Sequence, residues 1–167
     1  CSSRPGMAWP SIVGRMLDRE VINFGFSGNG RMELEVGQYL AELDPAVFVI
    51  DCLPNMSPDQ VAKRTQPLVR QLRAARKDTP ILLVEDRTFT NAWFYKSKLV
   101  EHEQRRKALR GAFDALQGDG VAGLHYLNGD LLLGRDGEGA TDGSHPNDLG
   151  MMRQAEVVTG SLRPLLR

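Results

Sequence analysis

The chain has 167 residues, a length that suits one domain with a sizeable core. It is 41% hydrophobic and 25% charged, the make-up of a folded globular protein and not of a disordered one. Lys plus Arg number 21 and Asp plus Glu 21, so the formal charge is zero, which speaks against nucleic acid or an anionic membrane surface as partner. No apolar run approaches the roughly 20 residues that span a bilayer. Of the two cysteines, Cys1 and Cys52, neither sits in a CxxC or zinc-ligand pattern, and the three histidines lie far apart, so no metal site is expected.

In chain order, Ile12, Val13, Met16 and Leu17 line one face of a short helix, with Pro10 tolerated in its first turn. Val21–Phe24 then reads as a short strand, closed by the Gly-rich loop 25–30. Met32, Val36, Tyr39, Leu40 and Leu43 recur at helical spacing as a buried stripe, stopped by Asp44-Pro45. Ala46–Ile50 is continuously apolar, as in a strand covered on both faces. Ser57-Pro58 is a helix start, with Ser as N-cap and Pro at the first helical position, and Pro67 predicts a kink or restart further on. Pro80–Val84 is a second buried strand, ending in Glu85-Asp86-Arg87. A charged helix follows, with Leu109, Phe113 and Leu116 inward and His102, Glu101, Glu103, Arg105, Arg106 and Lys107 on a solvated face. Val121–Leu127 is the last strand, and a terminal helix turns Leu149, Met152, Ala155 and Leu162 inward.

Strands that alternate with helices and are nearly all apolar predict a parallel sheet sandwiched by helices. Ligands of such sheets sit beyond the carboxyl ends of the strands, so the loops that follow them carry the candidate chemistry. In Asp142-Gly143-Ser144-His145, a carboxylate three residues before an imidazole can accept its Nδ1 proton and leave Nε2 as a general base. The same stretch also reads as a capping turn, with Asn147 or Asp148 opening the helix. Ser27-Gly28-Asn29-Gly30 departs from the dinucleotide fingerprint at Glu33; its N–H groups suit an anion, or its glycines simply serve a turn. Asn55 can donate to an oxyanion or form a turn before Ser57. Asp51 and Cys52 are secondary candidates, with Cys52 read as buried and inert. Arg31 and Arg87 are candidate substrate contacts.

Gly28, Asn55 and Asp142/His145, in this order, resemble the SGNH (GDSL-type) hydrolase family of esterases and acylhydrolases, whose blocks run Ser, Gly, Asn, Asp-x-x-His. The specific part is the run Asp142-Gly143-Ser144-His145-Pro146-Asn147-Asp148-Leu149-Gly150. The resemblance implies a flavodoxin-like three-layer α/β/α sandwich with a mainly parallel sheet, one domain over 1–167 and no cofactor. It implies an oxyanion hole from Gly28 and Asn55, His145 as base and Asp142 as its orienter. The family's third block is usually Gly-x-Asn-Asp, whereas Leu53 and Met56 stand here. The nucleophile block has no match: Ser2 and Ser3 are near, but no strand precedes them.

In the flavodoxin-like order the first strand lies between the strands at Val21 and Ala46. Without it these two would sit about 9–10 Å apart with unpaired backbone groups. An upstream strand ending in the nucleophile is therefore expected ahead of Cys1. The resemblance, above all to bacterial SGNH members proposed to deacylate carbohydrates, implies hydrolysis of a small-molecule or glycan ester, with an acetylated sugar as the expected substrate. The alternatives are a non-catalytic carbohydrate-binding module on the same fold and, third, a metal hydrolase.

Overall fold

The computed structural model describes residues 2–166; Cys1 lies outside them. The elements in chain order are α1 (Trp9–Leu17), α2 (Leu34–Glu42), β1 (Phe48–Ile50), α3 (Pro58–Ala75), β2 (Ile81–Val84), α4 (Lys96–Gly118), β3 (Leu124–Leu127) and α5 (Asp148–Leu162). Short 3-10 turns occupy Pro5–Met7, Leu53–Asn55 and Arg163–Leu165. The residues form two compact units. One holds the chain up to Phe24, Arg87–His102 and Asn128–Pro164, and the other Gly25–Asp86, Glu103–Leu127 and the residues from Leu165.

The second unit contains the sheet, in order β1-β2-β3 with both pairings parallel. Val49 faces Leu82, and Leu82 faces His125, in register. All four residues of β2 are buried, as the continuous apolar run requires of a central parallel strand. Its core gathers Phe48, Ile50, Val61, Leu68, Leu72, Ile81, Leu83, Leu109 and Leu116. Each fully buried Leu or Ile among them contributes about 1.5–3 kcal/mol from leaving water.

Helix α3 begins as the sequence dictates. The Ser57 hydroxyl accepts from Gln60 N at 3.2 Å, and the Gln60 side chain accepts from Ser57 N at 2.9 Å, a reciprocal capping box. Ser57→Ala is expected to cost about 1 kcal/mol, read as a lower urea midpoint with an unchanged m-value. The helix does not restart at Pro67, since α3 continues through it to Ala75. Helix α2 packs on α3 through Gly37, where a Cβ would run into Leu68 and Gln71. That contact turns Tyr39 out to 66% exposure and corrects its place in the buried stripe.

In the first unit, α1 packs on α5, burying Ile12 and Val13 against a helix whose Ala155, Val158 and Leu162 are also buried. Leu149, expected inward, is 45% exposed at the first turn of α5. The expected strand at Val21–Phe24 is also corrected. Residues 19–26 form no strand, and Val21, Ile22 and Phe24 are exposed. An extended segment becomes a strand only by pairing its backbone, and the described sheet has three members that do not include this one.

Candidate active site

In the first unit, residues 141–147 form a short closed loop. Thr141 N donates to His145 O at 2.9 Å, and Ala140 and Pro146 make an antiparallel bridge. Asn147 is the N-cap of α5, its side chain accepting from Gly150 N at 3.0 Å. Gly150 has no substitute here, because a Cβ would strike the Gly139 carbonyl. The loop is thus both a helix cap and a scaffold for the two groups expected to do chemistry.

Asp142 curls back on the residues that follow it. Its Oδ1 accepts from Ser144 N at 3.0 Å and from His145 N at 2.8 Å, while Oδ2 lies 2.7 Å from His145 Nδ1. These bonds, the backbone donor of His145 first and its ring second, hold the Asp142 carboxyl well below the usual carboxylate range. The sign follows from linkage. A lowered folded-state value contributes stability above the unfolded pKa, and loses it as the pH falls through the folded one. Asp142 therefore stays ionised under all ordinary assay conditions. Both side chains remain more than half exposed, at 55% and 58%, so the imidazole is oriented by the carboxylate and accessible to a reactant.

In the second unit, Asn29 N donates to Phe26 O at 3.0 Å across a tight turn whose central residues, Ser27 and Gly28, both have positive φ, 37° and 82°. A left-handed pair of this kind favours glycine. Arg31 Nη2 donates to Gly28 O at 3.2 Å, so this guanidinium braces the turn. Asn55 closes the 3-10 turn after β1, and its Nδ2 donates to Gly30 O at 3.5 Å. The glycine loop and the asparagine amide are thereby adjacent. The flanking departures from the family block have a packing reason: Leu53 and Met56 are buried in the sheet core, at 0% and 1% exposure.

Burial, with Asp51 next to it, pushes the Cys52 thiol up to about 12, which leaves it protonated and a poor nucleophile. Ser3 N and Oγ both donate to Asp148, at 2.8 and 2.5 Å, so this serine anchors the start of α5. Arg87 Nε donates to the Ser144 carbonyl of loop 141–147 at 2.6 Å. Among the described residues no group of three or more metal-ligating side chains is found. No described helix is long and apolar enough to cross a membrane.

The expectation of a solvated face on α4 is corrected at Arg105 and Arg106, which turn to the charged end of β2. Asp86 is fully buried and pairs with Arg105 at 2.8 Å, and Arg105 Nε donates to Met56 O at 2.6 Å. Arg106 lies 3.6 Å from Glu85, which accepts from the Tyr126 hydroxyl at 2.7 Å. Burial, then this carboxylate, raises the Tyr126 phenol. In the first unit, His102 is 1% exposed and packs on Phe89, with ring centroids 5.6 Å apart.

The family model described as GDSL-like Lipase/Acylhydrolase matches residues 1–163. The chain belongs to this family. Among solved structures, a Bacteroides ovatus protein described as a GDSL-like lipase is 35% identical with a TM-score of 0.94, over 98% of this chain and 49% of that one. The salicylyl-acyltransferase SsfX3 of a tetracycline biosynthetic pathway is 16% identical with a TM-score of 0.80, over 99% of this chain and 52% of that one. A carbohydrate acetylesterase family member from Sinorhizobium meliloti is 16% identical with a TM-score of 0.62, over 98% and 88%. The chain thus spans about half the length of the first two. No curated protein matches it. This GDSL-like chain has the mixed α/β, flavodoxin-like fold of those neighbours, with a parallel three-stranded sheet and five α-helices among the described residues.

Proposed function

We propose that the protein is a serine esterase of the GDSL type, in which this chain supplies the base, its orienting carboxylate and two oxyanion donors. One observation carries the reading: Asp142 Oδ2 sits 2.7 Å from His145 Nδ1, which commits that nitrogen and leaves Nε2 as the proton acceptor. Membership of an acylhydrolase family and the adjacency of Asn55 to the Gly28–Gly30 loop support the rest. In this reading the nucleophile is the serine of the family's first block, for which Ser3 is a poor candidate because it is committed to Asp148.

The chemistry follows from these roles. The serine hydroxyl loses its proton to His145 Nε2 as its oxygen bonds to the acyl carbon. The carbonyl electron pair moves onto oxygen, where Gly28 N–H and Asn55 Nδ2–H meet it. Collapse breaks the bond to the alcohol, which leaves with the proton from Nε2. Water then repeats the sequence and frees the acid. An acetylated carbohydrate is the proposed substrate class, and the Sinorhizobium meliloti neighbour is described as a carbohydrate acetylesterase.

The full-length gene product is expected to hydrolyse p-nitrophenyl acetate, to deacetylate acetylated xylose or glucosamine, and to be labelled on one serine by a fluorophosphonate. Asn55→Ala should lower kcat about 10²–10³-fold, the usual cost of one oxyanion donor. A full-length protein that takes no label and turns over no ester overturns the esterase reading and favours a non-catalytic carbohydrate-binding module.

A further inference from the structure

We infer that Arg87 is a positioning residue: by gripping the Ser144 carbonyl it sets the direction in which the His145 ring points. The inference rests on the Asp142–His145 reading and concerns only residues of the first unit.

The observation is a pattern of grips on two successive peptide planes. In the plane joining Ser144 to His145, the carbonyl accepts from Arg87 Nε at 2.6 Å, and the N–H at the other end donates to Asp142 Oδ1 at 2.8 Å. In the plane joining Gly143 to Ser144, the carbonyl accepts from Thr90 N at 2.8 Å, and the N–H donates to the same Asp142 Oδ1 at 3.0 Å. A peptide unit is rigid and planar, so a hold at both ends removes its freedom to rotate about its two flanking single bonds. The carboxylate that orients the imidazole therefore also holds one edge of the backbone beneath it, while segment 87–90 holds the other.

Arg87 is the charged member of that second hold. Its Nη2 also lies 3.4 Å from Ser144 Oγ, so the planar fork addresses the backbone and the side chain of one residue. Gly143, at φ 89°, packs against the Asn91 amide where a Cβ would collide, which lets the brace approach this closely. A guanidinium whose Nε is committed to a main-chain carbonyl is placed to hold the loop. Its first duty is not substrate recognition.

The test uses the full-length gene product, with p-nitrophenyl acetate as substrate. Arg87→Ala is expected to lower kcat about 10–100-fold with KM within about twofold, because the ring is misdirected while binding is untouched. Guanidinium at millimolar concentration should restore part of kcat, and methylammonium should not. Arg87→Lys, the milder variant if the alanine protein fails to fold, should keep its unfolding midpoint, lose kcat, and lose the downfield Nδ1 proton resonance of His145 seen in the parent. A rise in KM at unchanged kcat, or parental kcat in both variants, overturns the inference. His145→Ala in parallel separates the levels. If it is inactive while both Arg87 variants are fully active, only the brace is wrong; if it is active, the dyad is wrong and the brace falls with it.

Discussion

His145→Ala is expected to lower ester turnover by at least about 10³-fold while leaving the protein folded. Its ring is the one group in the closed loop with a free basic nitrogen, and no neighbouring side chain duplicates that role there. The side chain is more than half exposed, so its removal should move the unfolding free energy by no more than about 0.5 kcal/mol. Loss of activity at an unchanged melting temperature is therefore the signature of a chemical role. Asp142→Asn should fall between the parent and this variant, because an amide can still bond to the ring but favours the wrong tautomer. Turnover by His145→Ala within tenfold of the parent would dismiss the assignment.

The largest expected effect on stability comes from Arg105→Met. Asp86 has no solvent exposure, and its Oδ1 has no hydrogen-bond partner, so its charge depends on Arg105 at 2.8 Å. Taking away the guanidinium leaves a buried carboxylate uncompensated and deprives the Met56 carbonyl of a donor. The cost should be about 3–5 kcal/mol, read from the urea midpoint. The double change Asp86→Leu with Arg105→Met should recover most of it, since an apolar pair of similar volume has no charge to desolvate. Because Met56 follows Asn55, the single variant should also lose activity in excess of its unfolded fraction.

Much of this was legible in the sequence. Apolar β-branched runs marked β1 and β2, and Ser57-Pro58 marked the start of α3. The Asp142-x-x-His145 spacing led to a bonded dyad, and the cap reading of Asn147 held alongside it. The failures have physical causes. Val21–Phe24 has the residues of a strand, but pairing is a property of the partner and not of the segment. Tyr39 was placed by periodicity, while the contact itself was decided by Gly37, whose missing side chain is what brings α2 onto α3. His102 and Arg105 were assigned to solvent by polarity alone. Yet they stand seven and four residues before Leu109, on the same helical stripe, and following the period instead of the charge would have turned them inward.

Asn147 carries a last consequence. It caps α5, and its main chain bonds back to Gly139 across the loop that bears the imidazole. Fraying at the head of that helix would therefore also loosen the loop that carries His145. Under the proposed esterase reading, the base is positioned before the ester binds, so holding it draws nothing from the ester's binding energy.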